Sequence, residues 1–332
     1  MNAAVLTEVK KPVAIQNVPD PVAAPGQAVV RLKAAALNHR DLWVQLGQYA
    51  NIKLPLIPGS DGAGVVESVG SSADQPWVGR EVIINPSLDW GADSRAQGPK
   101  FRILGMPDSG TFAEKIAISV ANLAPKPSHL NWEQAAALPL AGLTVWRALF
   151  TRARLQAGET ILVTGVGGGA AAFALQFAIA AGAKVWVTSG SAGKLARAKD
   201  LGAIGGANYR EAGWAQALLA AAGGPFDVII DSAGGEGFAS LIELTRPGGR
   251  IVFFGATTGN PTGLDLRKCF FRQINLLGTT MGSPADFTGM TQFVGAKNLV
   301  PVVDRVYPLA ATEEALRHME AGAQFGKIVL SV

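Results

Sequence analysis

Cysteine occurs once in the 332-residue chain, at Cys269. One thiol cannot close an internal disulfide, and the same count excludes a zinc cluster built from several thiolates. This scarcity agrees with a reducing, cytoplasmic compartment. Charge is also sparse: Asp, Glu, Lys and Arg make up 16% of the residues, and the net charge is only +4. No run of Lys and Arg interleaved with aromatics occurs, so no nucleic-acid partner is expected. His39 has no second histidine close by in sequence, the others being His129 and His318. The opening M-N-A-A-V-L-T-E-V-K-K lacks the basic-then-apolar pattern of a signal peptide. Residues 161–183 carry no charge, and their length alone would let them cross a bilayer. Within them, however, a β-branched strand, a glycine run and an alanine-rich helix follow one another, so they read as strand–turn–helix and no membrane partner is expected.

Against these absences stand 48% hydrophobic residues and 40 glycines. The first is enough to bury cores for two domains of ordinary size. The glycines follow no G-X-Y period and fall at element boundaries, which argues for many tight turns. Residues 1–122 read as β-rich: A-V-V-R-L-K-A, G-A-G-V-V-E-S-V-G and E-V-I-I-N-P alternate or run apolar between Pro and Gly turns, with one short helix from Arg40 to Leu46. Many short strands with one helix suggest a small, partly open barrel. Residues 123–284 change style. Asn131 is placed to cap a helix that Pro139 interrupts. Strands T-I-L-V-T, K-V-W-V-T, F-D-V-I-I-D, R-I-V-F-F-G and I-N-L-L-G-T-T then alternate with helices, the mark of a Rossmann-type doubly wound parallel sheet. Residues 285–332 return to the first style and complete the β-rich domain.

The segment G-V-G-G-G-A-A lies between the first strand of the alternating region and its helix. Gly165, Gly167, Gly168 and Gly169 let backbone approach a pyrophosphate, the helix start offers free N–H groups to the anion, and Ala170 keeps the third small position. A strand on either side makes this pattern a dinucleotide site rather than a plain turn. An NAD site usually ends its second strand with an acid that holds the ribose 2′-OH. Here the strand ends V-T-S-G-S-A-G-K, through Ser189 and Gly190, with Lys194, Arg197, Lys199 and Arg210 nearby and no acid before Asp200. A lysine attracts a 2′-phosphate that a carboxylate would repel, so NADP(H) is the expected cofactor.

The stretches L-N-H-R-D-L-W, P-G-S-D-G-A-G-V-V-E-S-V-G, A-A-A-L-P-L-A-G-L-T-V-W-R-A-L and I-L-V-T-G-V-G-G-G run in a fixed order with F-D-V-I-I-D-S-A-G-G and G-R-I-V-F-F-G. In this the chain resembles the medium-chain dehydrogenase/reductase superfamily, and most its zinc-free quinone oxidoreductase branch. The resemblance implies a Rossmann domain with a GroES-like β-rich partner. Zinc-containing members carry cysteine where Asn38 stands, histidine and glutamate where Ser60 and Asp61 stand, and a third ligand near Ala141. Their four-cysteine lobe falls around 88–110, where this chain has no cysteine. Amide, hydroxyl and methyl groups cannot replace thiolates and imidazole as tight zinc ligands, so no metal is expected.

The resemblance also assigns residues. It places Asn38 beside the nicotinamide in the active cleft, with Asp41, Trp43, Tyr49 and Ser60 around it; Asn38, Asp41, Tyr49 and Ser60 are the candidate catalytic residues. Thr144 matches a threonine near the nicotinamide, and Gly168, Gly169 and Ala170 match the pyrophosphate loop. Gly190, Lys194 and Tyr209 match residues at the 2′-phosphate. Ser232 and Ala233 follow the fourth strand, and Phe254, Gly255 and Ala256 the fifth, at the carboxyl ends where such sheets bind ligands. Zinc ordinarily stabilises the negative charge that develops on a simple aldehyde. Without it the acceptor should itself be electron-poor, a quinone or an alkene conjugated to a carbonyl, with Asn38 and Tyr49 as hydrogen-bond donors. Two rival readings are a zinc-free alcohol or aldehyde dehydrogenase and a non-catalytic NADPH-binding structural or sensor protein. Finally, I-N-L-L-G-T-T-M-G reads as an apolar, uncharged last strand of the parallel sheet. Such an edge invites a two-fold partner strand, and a homodimer is expected.

Overall fold

Small apolar residues alternating with Arg31 and Lys33 make Gln27–Ala36 the longest strand of the chain, with its ends and centre buried. Around it the computed structural model, which describes residues 1–332, builds the first of two units. That unit comprises Met1–Leu143 and Gly282–Val332; the second is Thr144–Met281. Its elements begin with β1 (Asn2–Val5), β2 (Ala14–Asn17), β3 (Gln27–Ala36), α1 (His39–Gln45), β4 (Asp61–Val69) and β5 (Glu81–Ile84). Then come β6 (Ser87–Leu88), β7 (Arg102–Ile103), β8 (Lys115–Ser119), β9 (Leu123–Pro125), α2 (Trp132–Ala137) and α3 (Pro139–Trp146), inside which the boundary falls.

The second unit holds β10 (Thr160–Val163), α4 (Gly169–Ala180), β11 (Lys184–Ser189), α5 (Ala192–Asp200), β12 (Gly205–Asn208) and α6 (Trp214–Ala222). It continues through β13 (Phe226–Asp231), α7 (Phe238–Leu244), β14 (Thr245–Phe253), α8 (Leu266–Phe271) and β15 (Asn275–Gly278). The chain returns to the first unit with α9 (Pro284–Ala296), β16 (Val303–Pro308), α10 (Thr312–Glu320) and β17 (Lys327–Ser331).

In the first unit the strand order is β16-β17-β3-β4-β5-β9. On one side β3 pairs with β4 along most of its length. On the other its first half pairs with β8 and its last residues, Ala34–Ala36, with β17. A strand that exchanges one neighbour for another must bend, and this bend curls the sheet into a partly open barrel. It also brings the start of β17 to the end of β3: the Leu37 N–H donates to the Ile328 carbonyl at 2.9 Å. The second unit is a six-stranded, all-parallel sheet ordered β12-β11-β10-β13-β14-β15. The order reverses between β10 and β13, and the glycine run follows β10 at that switch point, where open parallel sheets take their ligands.

The helix expected over 40–46 is α1. Asn131 caps α2 as expected: its side chain accepts the Gln134 N–H at 2.8 Å, and Gln134 answers at the Asn131 N–H at 3.1 Å. Pro139 cannot continue α2 and begins α3 instead. The sequence places the first domain boundary at 122/123, whereas the chain divides at Leu143 and Thr144. The difference has a local cause. Segment 123–143 contributes β9 to the barrel through β5, and α2 buries Ala135, Ala136 and Ala137 against β3 and β4. The second boundary, expected at 284/285, lies at Met281 and Gly282.

Candidate active site

Three polar side chains meet in the interior of the first unit where β17, the end of β3 and the start of β4 come together. Lys327 is 3% exposed, Asp61 0% and Asn38 7%. The Lys327 ammonium donates to Asn38 Oδ1 at 2.7 Å and to Asp61 Oδ2 at 2.8 Å. Asn38 Nδ2 donates to the same Asp61 oxygen at 2.9 Å. Asp61 Oδ1 accepts the Leu140 N–H at 2.7 Å, so α3 is tied to the cluster as well. A buried carboxylate and a buried ammonium each need a partner, and here each has two or more.

A second network lies beside it. Asp41 accepts the Asn38 N–H at 2.8 Å and the Gly59 N–H at 3.3 Å. Burial pushes its carboxyl up to about 6, with the Arg40 charge acting in the opposite direction. Arg40, also buried, donates to Ser60 Oγ at 2.8 Å and to the carbonyls of Leu104 (2.7 Å) and Met106 (3.3 Å). Ser60 in turn donates to the Leu104 carbonyl at 2.6 Å. The Arg40 guanidinium stands 5.3 Å from the centre of the half-buried Tyr49 ring. Trp43 packs its ring 6.0 Å from that of His39. Burial lowers the His39 pKa below the usual imidazole value, assisted by the Lys327 charge.

Residues 88–110 hold their shape without thiolates. Trp90 is buried and meets Phe101 edge-on at 5.4 Å, and Arg102 bridges Asp89 (2.7 Å) and Asp108 (2.6 Å).

In the second unit, the glycine run forms a cradle. Gly165 and Gly167 have φ of 63° and 138°, conformations that side-chain-bearing residues rarely adopt. The Val166 N–H donates to the Thr188 carbonyl at 2.7 Å, and Ser189 Oγ donates to the Val166 carbonyl at 3.1 Å, pinning the loop to the end of β11. Gly168 caps α4, whose first bond runs from the Ala172 N–H to the Gly168 carbonyl (3.0 Å). The N–H groups of Gly169, Ala170 and Ala171 therefore lack intrahelical partners and carry the positive end of the helix dipole. A Cβ on Gly167 would lie 2.6 Å from Lys194 Cδ and 3.1 Å from its Nζ. One on Gly190 would lie 2.6 Å from Arg210 Nε and 2.9 Å from the Tyr209 hydroxyl. Two cations and a phenol thus converge where the second strand ends. The amides at the start of α4 together with Lys194, Arg210 and Tyr209 fit a dinucleotide that carries phosphate.

Other predicted residues border the same sheet. A Cβ on Gly255 would lie 2.6 Å from the Ser232 carbonyl. Thr257 and Thr258 donate to the Ser232 and Ala233 carbonyls at 3.3 and 2.9 Å. The Phe254 N–H donates to Asp231 O at 3.2 Å, and Ala256 is exposed beyond it. Thr144 is buried, with Oγ1 3.9 Å from Met281 Sδ.

The predicted Asn38, Asp41 and Ser60 are therefore neighbours, with Tyr49 joined to them through Arg40. Sequence reasoning missed Lys327, Asp61 as a partner of Asn38, and Arg40. The available signal for Lys327 was a lone cation opening the apolar run K-I-V-L, where a strand would otherwise be buried on both sides.

This pairing of a parallel nucleotide sheet with a partly open barrel defines a class, the pyridine-nucleotide oxidoreductases. Two family models match, "Alcohol dehydrogenase GroES-like domain" over residues 24–128 and "Zinc-binding dehydrogenase" over residues 169–296. The chain is 34% identical to the zinc-type alcohol dehydrogenase-like protein YogA of Leptosphaeria maculans, across 98% of this chain and 96% of that protein. It is 29% identical to the quinone oxidoreductase of Mus musculus, across 93% and 90%. The crystal structure of an NAD-dependent alcohol dehydrogenase superposes with a TM-score of 0.93 at 39% identity, over the whole of both chains. The chain belongs to the medium-chain dehydrogenase/reductase superfamily, and it is a pyridine-nucleotide-dependent oxidoreductase.

Zinc, which the second family model names, does not fit the residues present. No group of three or more His, Cys, Asp or Glu side chains comes together to hold a metal ion. The positions at issue offer an amide and a hydroxyl, and the one carboxylate there already binds an ammonium at 2.8 Å. A divalent cation in this cluster would have to displace Lys327 or sit against its like charge. No helix is long and apolar enough to cross a membrane.

Proposed function

We propose that the chain is a cytoplasmic, zinc-free, NADP(H)-dependent reductase of quinones or of alkenes conjugated to a carbonyl. The observation that carries this reading is the Lys327–Asn38–Asp61 cluster, a fixed hydrogen-bonding array made of groups that do not suit a metal ligand set. NADPH, when bound, supplies a hydride to the acceptor, and the proton that completes the reduction comes from water or from the Tyr49 hydroxyl. The residues of the chain divide the remaining work. Gly167 to Ala170, Lys194, Arg210 and Tyr209 hold the phosphates. Asn38 offers an amide N–H to the acceptor oxygen as negative charge accumulates there. Asp41 and Ser60, buried and engaged with backbone, keep Asn38 and the start of β4 in place. An amide donor stabilises an oxyanion less than a metal does, which suits acceptors that are electron-poor by themselves.

The test is NADPH oxidation with a panel of small quinones and enones, run beside alcohol oxidation with NAD⁺ and with NADP⁺. Turnover of quinone or enone with NADPH supports the reading. The second reading, a zinc-free NAD-dependent alcohol dehydrogenase, is favoured by the structure similar at 39% identity, and alcohol turnover without quinone turnover would establish it. Tight NADPH binding with no turnover of either kind would mark a binding protein.

The homodimer is proposed as well. The terminal strand β15 leaves one edge without a partner, and the preceding α8 exposes Leu266, Phe270 (70%) and Phe271 (84%). Two such aromatics beside an open edge form a patch that a second copy would cover.

A further inference from the structure

We infer that Lys327 is a positioning residue whose ammonium fixes the orientation of the Asn38 amide within the cluster and strengthens its remaining N–H as a hydrogen-bond donor. The inference rests on the reading of Asn38 as the contact to the acceptor oxygen. An asparagine amide is nearly symmetric in shape, and its two orientations differ only in the hydrogen bonds they make. Here they differ greatly. As found, Oδ1 receives the Lys327 ammonium at 2.7 Å and Nδ2 donates to Asp61 at 2.9 Å. Turned over, the amide would set N–H groups against an ammonium and a carbonyl oxygen against a carboxylate. Only the first orientation survives, and in it one of the two Nδ2 hydrogens has no acceptor.

The same ammonium withdraws electron density through the amide, which makes the remaining N–H a better donor in a medium of low dielectric. Asp61 balances the charge, and its other oxygen is held by the Leu140 N–H at 2.7 Å, so the pair cannot rotate away. A buried ion pair is a poor source of stability, because desolvation offsets the attraction. Its effect is orientation: with both ions present, the amide has one direction.

The test uses the full-length protein and two readouts. The first is binding of p-nitrophenolate, an analogue of an enolate-like oxyanion, followed by its absorbance in the presence of NADP⁺ and without turnover. The second is kcat and KM for NADPH with whichever quinone or enone is turned over. Asn38→Ala should weaken p-nitrophenolate by about tenfold or more, as loss of one oxyanion donor does. Lys327→Met should weaken it by about tenfold, lower kcat and leave the KM for NADPH unchanged. Combined with Asn38→Ala, it should add less than about twofold, because residues that act through one contact are not additive. If Lys327→Met alone fails to fold around an uncompensated Asp61, the charge-balanced Lys327→Met/Asp61→Asn variant carries the test with the same expectations.

Unchanged phenolate binding in the folded Lys327 variants, or losses that add fully to those of Asn38→Ala, would overturn the inference while leaving the role of Asn38 intact. Equal phenolate binding by wild type and Asn38→Ala would instead overturn the reading of Asn38 itself, and the inference with it.

Discussion

Lys194→Ala offers the sharpest test of cofactor choice. The lysine stands over Gly167 at the mouth of the cradle, where a Cβ would meet its Nζ at 3.1 Å, and Arg210 stands over Gly190 on the neighbouring turn. A charge-assisted hydrogen bond to a phosphate contributes about 1.5–3 kcal/mol. Lys194 is only half-buried, so solvent and salt screen it and the lower end applies. At about 1.4 kcal/mol per factor of ten, its removal should weaken NADPH by about tenfold. NADH has no 2′-phosphate and should bind with affinity changed by less than about twofold. Arg210→Ala should behave similarly, and the double variant should approach about a hundredfold, the additive result expected of two cations that stand on separate turns. Tryptophan or cofactor fluorescence titration at two salt concentrations provides the measurement. The loss on substitution should shrink at high salt, where the wild-type contact is already screened. Equal affinity of the unmutated protein for NADH and NADPH would refute the assignment. So would a Lys194→Ala loss that is the same for both cofactors, because the lysine would then be holding the loop and not the phosphate.

Other predictions follow from separate regions. Light scattering at micromolar concentration should give twice the chain mass, and Phe271→Asp should return the mass of one chain; a monomeric wild type would end the dimer proposal. Phe271 suits this test because its ring is exposed, whereas Leu276 is partly buried against the core of the sheet. Asp41 should contribute to the pH dependence of stability. Its folded-state value, raised to about 6 from 3.8, means that its contribution is fully present in acid and is lost as pH rises between these values. The shift corresponds to about 3 kcal/mol, so the difference in unfolding free energy between wild type and Asp41→Asn should decline by that order between about pH 4 and pH 6 and level off above. A difference that stays flat across this window would refute the burial of an unneutralised carboxyl. Elemental analysis of dialysed protein should find no stoichiometric zinc, and one tightly held zinc per chain would refute the reading of Asn38, Ser60 and Lys327.

Local signals carried most of the architecture. Glycines between a β-branched strand and an alanine-rich helix can serve few purposes, and the absence of an acid at Ser189 and Gly190 is a statement about charge that needs no coordinates. Asn131 followed by Gln134, and Pro139 inside a helical run, set helix ends through backbone hydrogen bonds that lie within a few residues of each other. The missing thiolates and imidazoles at Asn38 and Ser60 were legible for the same reason: ligand chemistry belongs to the residue type. What the sequence could not reveal was who meets whom across long separations. Lys327 lies 289 positions from Asn38, and only the handover of β3 from β8 to β17 brings them within hydrogen-bonding distance. Arg40 opens the short helix expected from the sequence, and only the fold shows that it is buried against Ser60 and the Leu104 carbonyl. The assignment of 123–143 to the barrel likewise depended on pairing between β9 and β5, between which β6, β7 and β8 intervene in the chain. Patterns of polarity and turn chemistry are local and therefore written in the chain, whereas the burial and pairing of charged groups are decided by sheet closure, which exists only once the strands have met.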